Sequence, residues 1–275
     1  MQRILEIAQK AAKAGGQELA RFRAEGLALD KRNKLDGSVV TAADAAASYA
    51  VRDVILAHDR DAFIVDEEIP ASHEQERPRH MWVVDPLDGT RTFASGRDGC
   101  CTLVGYVVGG VPRVGVMYFP DTQLIVYGGK GLGAWIDAPS LTRPTRLAGW
   151  SPEALENSRL FIPDKPQARE LYKRLTAALG TNQLEGQNIA GAMYLALLRN
   201  ACEFVITRMD NPFIWDIAAP HALLLAVGGD IVDLRGEPID YQRTTLLEHG
   251  TIGMIHPHLL PQILQRLPPL KQMRI

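Results

Sequence analysis

Residues 82–93 read WVVDPLDGTRTF, and this stretch joins an apolar run to a compact acidic motif. Pro86 restricts the backbone between Asp85 and Asp88, since its ring fixes one main-chain torsion. Gly89 lets the chain turn tightly and present bare amide N–H groups to an anion such as phosphate. The motif therefore predicts a site where two carboxylates lie beside an anion-binding turn.

Acidic residues also follow the preceding strand-like run. Asp66, Glu67 and Glu68 come directly after residues 62–65, just as the acidic motif follows residues 81–84. Carboxylates at the ends of neighbouring strands converge, and they repel each other unless a cation lies between them. Because all these ligands are oxygens, the pattern favours a hard ion, Mg²⁺ first, with Mn²⁺ or Ca²⁺ as substitutes.

Working outward, helical and strand-like segments alternate, which is typical of layered α/β structures. Apolar spacing predicts a short last helix and longer helices over residues 2–22, 42–57, 167–178, 189–199 and 215–227. Apolar runs between turn residues predict a meander of about three strands over 101–127, and further strands over 62–65, 81–85, 159–162, 203–207, 230–234 and 251–255.

The irregular segment 139–152 contains three prolines and is predicted to be a domain boundary. We expect an N-terminal α+β domain over residues 1–145, which carries most of the acidic candidates. We expect a C-terminal α/β domain over residues 146–275, which carries Asp216 and residues on the substrate side.

Composition limits the function classes. The 275 residues are 46% hydrophobic and 23% charged, with a net charge of -2, so an ordinary globular protein is expected and nucleic acid is not expected as the main partner. No window approaches the roughly 18 apolar residues that a membrane span requires. Three irregularly spaced cysteines predict neither a disulfide framework nor a thiolate zinc site. The expected location is a reducing compartment, the cytoplasm.

Each acidic group also has a plainer interpretation. Asp44 follows Thr41 by three residues and fits a capping box, and Asp216 before an apolar helix fits an N-cap. Residues 66–68 fit a solvated loop, and the motif at 85–88 fits an isolated turn. Their joint occurrence at the ends of elements favours a metal site.

Four stretches resemble the signature blocks of the inositol monophosphatase family: VTAAD at 40–44, DEE at 66–68, WVVDPLDGTRTF at 82–93 and WDIAAPHALLLAVGGDIVD at 215–233. They occur in the family's order and spacing. This family of Mg²⁺-dependent, lithium-sensitive phosphatases includes bisphosphate nucleotidases. The resemblance implies an α/β fold, an αβαβα five-layer sandwich, and a phosphomonoesterase acting on a small phosphorylated metabolite such as an inositol monophosphate.

The resemblance also implies a set of metal ligands for two or three Mg²⁺ ions. Glu67 and Asp85 would hold the first ion together with the backbone carbonyl of Leu87. Asp85, Asp88 and Asp216 would hold the second ion, and Glu67 would lie near a weaker third.

Catalytic and substrate roles follow from the same resemblance. Thr90 and Asp44 would form a hydrogen-bonded pair that orients and deprotonates the attacking water, with Glu67 as the third catalytic residue. The amides of Gly89 and Thr90 would contact the phosphate, and Asp216 would also contact substrate. The resemblance implies in-line attack of water on the phosphate, without a covalent intermediate. Members of this family commonly form homodimers, so a homodimer is expected as well.

The sequence departs from the family at two positions near the acidic blocks. Asp66 and Pro220 stand where the family usually has Gly. The extra carboxylate of Asp66 is expected to alter ion preference. Pro220 is expected near the first turn of its helix, where few N–H bonds are due.

Substrate-side residues differ as well. Residues 190–192 and Met209 stand where inositol phosphatases carry a Gly-Ser/Thr-Ala-Ala stretch and a Glu that holds inositol hydroxyls. Arg208 and Arg91 resemble basic residues of bisphosphate nucleotidases, and guanidinium groups bind phosphate bidentately, although both could instead pair with carboxylates. A 3′(2′),5′-bisphosphate nucleotidase is therefore an alternative, and a non-catalytic regulatory protein on the same fold is another.

Overall fold

The computed structural model describes residues 1–26, 31–33, 39–149, 154–207 and 212–269 of the chain. Its helices are α1 (Gln2–Ala24), α2 (Ala42–His58), α3 (Thr90–Ala94), α4 (Arg169–Leu179), α5 (Ala190–Leu198), α6 (Ile214–Val227) and α7 (Leu260–Arg266). Its strands are β1 (Lys31–Asn33), β2 (Val39–Thr41), β3 (Ile64–Asp66), β4 (His80–Asp88), β5 (Cys101–Val108), β6 (Val111–Phe119), β7 (Leu124–Gly129), β8 (Gly133–Asp137), β9 (Thr145–Leu147), β10 (Arg159–Pro163), β11 (Asn182–Gly186), β12 (Phe204–Thr207), β13 (Asp230–Asp233) and β14 (Thr251–Met254).

The larger sheet has seven strands in the order β3-β4-β5-β6-β7-β8-β9. Strands β3 and β4 are parallel, and every later neighbour is antiparallel. The predicted meander corresponds to β5, β6 and β7, and it continues into β8 and β9. Because β3 and β4 are parallel, the acidic residues at their carboxyl ends meet at one edge of the sheet.

The smaller sheet has five strands in the order β11-β10-β12-β14-β13. Strand β10 is parallel to β11 and β12, while β14 is antiparallel to β12 and β13. The two parallel connections run through α4 and α5, since parallel neighbours need a crossover. Helix α5 thereby starts directly after the edge strand β11.

Three apolar clusters lie between the layers and hold them together. Helices α1 and α2 pack on one face of the larger sheet. Helices α5 and α6 fill the space between its other face and the smaller sheet. Helices α4 and α7 cover the outer face of the smaller sheet. The order helix, sheet, helix, sheet, helix confirms the predicted five-layer α/β sandwich.

Helix α6 lies directly on the larger sheet at a pair of glycines. Gly105 on β5 and Gly115 on β6 are register partners. A Cβ on Gly115 would lie 2.1 Å from the Ala219 carbonyl oxygen, and one on Gly105 would lie 2.9 Å from the Cβ of Ala218. Only glycine allows this approach, so the glycine pair sets the depth at which α6 is seated.

Pro220 is not in the first turn of its helix, so that expectation is wrong. Helix α6 begins at Ile214, and Pro220 lies inside it. Because proline has no N–H, the carbonyl of Asp216 lacks its usual helical partner four residues on. No helix in the described part of the chain has the length and apolar character needed to span a bilayer.

Candidate active site

Asp85 and Asp88 lie near the end of β4, where the pairing with β5 slips by one residue. Asp85 pairs with Leu103 and Asp88 pairs with Cys101. Side chains three positions apart on a regular strand point to opposite faces, and a bulge of one residue returns them to the same face. Pro86 lies inside this bulge, where a missing N–H costs no ladder hydrogen bond. The bulge therefore explains how both carboxylates reach one site.

The turn after the bulge is fixed by local hydrogen bonds. The N–H of Leu87 donates to Oδ1 of Asp85 at 3.0 Å, and the Thr102 hydroxyl donates to the Pro86 carbonyl at 2.9 Å. Gly89 has φ +93°, a left-handed conformation that disfavours side chains, and it precedes α3. The first amides of a helix have no intrahelical acceptor, so the amides after this turn are available to an anion.

Thr90 and Asp44 form the hydrogen-bonded pair that the resemblance implies. Asp44 lies in the first turn of α2 and is buried. The Thr90 Oγ1 lies 2.9 Å from Oδ1 of Asp44 and 3.2 Å from the Leu87 carbonyl oxygen. A hydroxyl donates one proton and accepts through its lone pairs, so Thr90 can link Asp44 to a further donor. The side chain of Thr41, the alternative partner of Asp44, lies outside the described residues.

Asp216 is the third residue of α6, and its interpretation as a plain N-cap is wrong. The N-cap is Phe213, whose N–H donates to Oδ2 of Asp216 at 2.6 Å. The neighbouring Trp215 ring stacks on Phe213 at 4.6 Å and contacts His73, also at 4.6 Å between centroids. These contacts hold the first turn of α6 against the loop that follows β3.

The carboxylates of Asp85, Asp88 and Asp216 each offer an oxygen within 4.8 Å of the others. Burial raises the pKa of all three, to about 6 for Asp88, and the nearby charge of Glu67 raises the pKa of Asp85 and Asp216 further. Glu67 therefore lies close to this group. An all-oxygen donor set with crowded negative charge fits a hard divalent cation, which would neutralise it.

Glu67 and Leu87 complete the predicted ligand set. The N–H of Glu67 donates to the Val84 carbonyl at 3.2 Å, which joins the end of β3 to β4. Leu87 is buried, and its carbonyl oxygen lies 3.2 Å from the Thr90 hydroxyl. The structure thus gathers Glu67, the three aspartates and the Thr90–Asp44 pair around one edge of the larger sheet.

Asp66 differs from the expectation of a solvated loop residue, while its effect on ion preference stays a prediction. It is fully buried. Its carboxylate accepts from the Ser48 hydroxyl at 2.7 Å and from the Glu68 N–H at 2.9 Å. Burial raises its pKa, and the charges that oppose this rise are those of Arg52 and His73. Asp66 is therefore engaged with α2 and its own loop.

Helix α5 contacts Asp88, a relationship that sequence reasoning missed. The N–H of Gly191 donates to Oδ2 of Asp88 at 2.5 Å, and that of Ala190 approaches Oδ1 at 3.3 Å. The Cys101 thiol lies 3.6 Å from the same Oδ2, and a Cβ on Gly191 would lie 2.2 Å from Cys101 Sγ. The residues are 102 positions apart, so no local pattern could reveal the contact.

Substrate-side residues are less completely described. Arg208 and Met209 lie outside the described residues, and Arg91 is exposed on α3. A cavity of about 120 Å³ opens beside Asp88 and Asp216, with Asn188 and Thr207 among its lining residues. Two of the clustered carboxylates therefore line this cavity.

A sequence model of the inositol monophosphatase family matches residues 1–268. The chain belongs to the inositol monophosphatase family. It is 28% identical to the 3′(2′),5′-bisphosphate nucleotidase CysQ of Escherichia coli, over 81% of this chain and 87% of that protein. It is 28% identical to the inositol-1-monophosphatase of Synechocystis sp., over 94% and 88% of the two chains. The structure of inositol monophosphatase II from Staphylococcus aureus superposes with a TM-score of 0.78 at 20% identity, covering 99% of this chain and 97% of that one.

Membership of the inositol monophosphatase family confirms the predicted enzyme class, a phosphoric monoester hydrolase. The family consists of metal-dependent phosphatases, and the acidic group described above could hold a metal. The individual roles of Asp44, Glu67, Thr90 and the other site residues stay predictions.

Proposed function

We propose that this protein is a Mg²⁺-dependent phosphomonoesterase that hydrolyses a small phosphorylated metabolite. The convergence of Asp85, Asp88 and Asp216 within 4.8 Å supports this function most directly. Three aspartates held so close are costly without a cation, and they lie next to a hydroxyl–carboxylate pair suited to moving a proton. A regulatory protein without turnover would have no need of this combination.

The ligand assignment follows the oxygens that the fold gathers. Asp85, Asp88 and Asp216 would hold one Mg²⁺, Glu67 and Asp85 with the Leu87 carbonyl a second, and Glu67 would lie near a weaker third. Bound Mg²⁺ supplies charge neutralisation and Lewis-acid activation of water in such sites, and Mn²⁺ is expected to substitute.

Thr90 and Asp44 would take up the proton of the attacking water. Asp44 is buried, and it accepts from the Thr90 hydroxyl at 2.9 Å. As the Thr90 oxygen accepts a proton from the attacking water, its own proton passes to Oδ1 of Asp44. The amides of Gly89 and Thr90 would hold the phosphate oxygens during this transfer, because the turn presents them without helical acceptors.

A second candidate, a bisphosphate nucleotidase, is favoured by two cations near the site. Burial lowers the pKa of Lys165, and the charge of Arg91 lowers it further, so the two cations lie within electrostatic range of each other. A pair of cations beside a phosphatase centre suits a substrate with a second anionic group. Similarity to CysQ supports the same substrate class. Arg208 would add a third cation.

Phosphate release from 4-nitrophenyl phosphate, with and without Mg²⁺, tests the reaction class. We expect release only with Mg²⁺, and no release under either condition would favour the non-catalytic alternative. Comparing inositol 1-phosphate with 3′-phosphoadenosine 5′-phosphate then tests the substrate class. Preference for the bisphosphate, lost in Arg91→Ala, would support the nucleotidase, while equal rates on both would remove the case for the cation pair.

The remaining proposals concern assembly and location. We propose a homodimer in the cytoplasm. The balanced charge of the chain, with a net charge of -2, supports the proposal that neither nucleic acid nor a membrane is its main partner. The division into domains at residues 145 and 146 also stays a proposal. Sedimentation of the purified protein would test the dimer.

A further inference from the structure

We propose that Asp66 is a positioning residue for the metal centre, which fixes Glu67 relative to Asp44 and Asp216 without itself binding metal. The inference rests on the proposed function, because it assigns Asp66 to the placement of the proposed ligands. It is carried by hydrogen bonds from Asp66 to two other segments of the chain.

The Asp66 carboxylate ties the end of β3 to helix α2. Ser48 lies one helical turn after Asp44, and both residues are buried. The Ser48 hydroxyl donates to Oδ2 of Asp66 at 2.7 Å, and the N–H of Glu68 donates to Oδ1 at 2.9 Å. The same carboxylate thus spans the residues on both sides of Glu67 and the helix that carries Asp44.

The main chain of Asp66 ties the same point to helix α6. Its carbonyl accepts from Nε2 of His73 at 2.7 Å, so this nitrogen carries the ring proton. The His73 ring packs on Trp215, the residue before Asp216, at 4.6 Å between centroids. The Asp66 N–H donates to the Ser72 hydroxyl at 3.1 Å, which closes the loop around the His73 contact.

Asp66 therefore links three segments that carry proposed active-site residues, with helix α6 reached through the His73 ring. A residue with no side chain at this position would leave the Ser48 hydroxyl without its acceptor. Groups that orient metal ligands through hydrogen bonds typically contribute about 10- to 100-fold to metal affinity. We therefore expect the network around Asp66 to act on Mg²⁺ affinity more than on substrate affinity.

The test uses variants that remove one connection each. Ser48→Ala removes the hydroxyl that joins α2 to Asp66, and His73→Phe removes the Nε2 donor while keeping a ring against Trp215. Mg²⁺ is titrated calorimetrically into the metal-free full-length protein. We expect each variant to bind Mg²⁺ about 10-fold more weakly than the unmodified protein. At saturating Mg²⁺, the KM for 4-nitrophenyl phosphate should change by less than about 2-fold.

Asp66→Asn is the conservative variant, since its amide oxygen still accepts from Glu68 and Ser48 can reverse to accept from the amide. Its Mg²⁺ affinity should stay within about 3-fold of that of the unmodified protein, which is a smaller loss than removal of an orienting group typically causes. Ser158→Ala is the matched control, because Ser158 is equally buried and its hydroxyl donates to the Ala154 carbonyl at 3.3 Å, before the smaller sheet. It should bind Mg²⁺ like the unmodified protein.

The outcomes separate this inference from the proposed function. If the unmodified protein binds no Mg²⁺, the proposed function is overturned and the role of Asp66 with it. If the unmodified protein binds Mg²⁺ and both Ser48→Ala and His73→Phe bind it equally well, only the positioning role is overturned. If the variants unfold at a lower temperature but bind Mg²⁺ as tightly as the unmodified protein, the positioning role is likewise overturned. If Ser48→Ala does not fold, His73→Phe alone decides.

Discussion

At the scale of single residues, the proposed metal ligands differ from other buried acids in what their removal would do. Asp88→Asn and Asp216→Asn remove one ligand charge each while keeping the size of the side chain. We expect Mg²⁺-dependent phosphate release to fall by at least about 100-fold, because each ligand orients the cation directly. Circular dichroism should show an unchanged fold. Near-normal activity in either variant would count against the ligand assignment.

The pKa shifts of these acids predict how the metal-free protein responds to pH. Burial, followed by the charges of Glu67 and Asp88, raises the folded-state pKa of Asp85 above its value of 3.8 in the unfolded chain. The ionised form therefore destabilises the fold at pH 8. As the pH falls, the folded state takes up the proton first, so this cost declines below the folded-state pKa and is gone once the unfolded chain is protonated as well.

Asp85→Asn should therefore stabilise the metal-free protein at pH 8 by about 1 to 3 kcal/mol, a usual range for a substitution with a clear structural cause. Asparagine keeps the oxygen that accepts from Leu87. The gain should shrink towards pH 5, measured by urea denaturation with a chelator present. A gain that is the same at both pH values would show that charge is not its origin.

Thr90 allows the hydroxyl to be tested apart from the shape of the side chain. Thr90→Val is nearly isosteric but cannot relay a proton to Asp44, so we expect kcat to fall by about 10²- to 10⁴-fold. Thr90→Ser retains the hydroxyl and should retain most of the activity. Steady-state kinetics at saturating Mg²⁺ measures both, and similar losses in the two variants would contradict the proton role.

Sequence reasoning predicted the acidic residues that the fold brings together and the Thr90–Asp44 pair, but not the other contacts that hold them. The motif at residues 85–90 was predictable because its chemistry is local. The burial of Asp66 was not, since its partner Ser48 lies on another element and a run of acids usually marks a solvated loop. The contacts of Ala190 and Gly191 with Asp88 were not predictable either, because they are made by main-chain amides, which nearly every residue type has.

At the scale of elements, the seating of α6 on Gly105 and Gly115 decides where Asp216 lies. Gly115→Ala would place a methyl group 2.1 Å from the Ala219 carbonyl oxygen. We expect a loss of about 1 to 3 kcal/mol in unfolding free energy from overpacking, together with weaker Mg²⁺ binding because α6 must move outward. Urea denaturation and calorimetry measure the two effects.

Gly131→Ala is a suitable control for that experiment. Gly131 has φ +86°, and no atom lies within 4 Å of the position that an alanine methyl group would occupy, so alanine strains the backbone without contacting α6. It should cost about 1 kcal/mol and leave Mg²⁺ binding unchanged. Equal loss of Mg²⁺ affinity in both variants would show that the metal site does not depend on how α6 is seated.

Periodicity predicted the long helices well, because α1, α4 and α6 each bury an apolar face or are apolar throughout. Strand β11 escaped prediction because it is a polar, largely exposed edge strand, and β9 because it has three residues, mostly exposed. Strand order and the bulge in β4 depend on pairing between distant segments, which single-sequence patterns do not encode.

At the scale of the whole molecule, the site joins both sheets through α5 and α6. Asp85 and Asp88 belong to the larger sheet, while Asp216 is carried between the sheets. A ligand that binds only the folded state stabilises it by an amount that grows with the logarithm of the ligand concentration above its Kd. At a Mg²⁺ concentration about 100 times its Kd, we expect a gain of about 2.7 kcal/mol over chelator-treated protein. Asp88→Asn should lose most of this gain in thermal scans.

The contact between α5 and Asp88 has a consequence for how this lineage can diversify. Because main-chain amides make the contact, most side-chain substitutions along α5 would leave its hydrogen bonds to Asp88 in place. Substitutions beside the cavity can therefore change the substrate preference while the proposed metal ligand Asp88 keeps its orientation. Gly191 is an exception, because a Cβ there would lie 2.2 Å from Cys101 Sγ, so a larger residue at position 191 would require a smaller one at position 101.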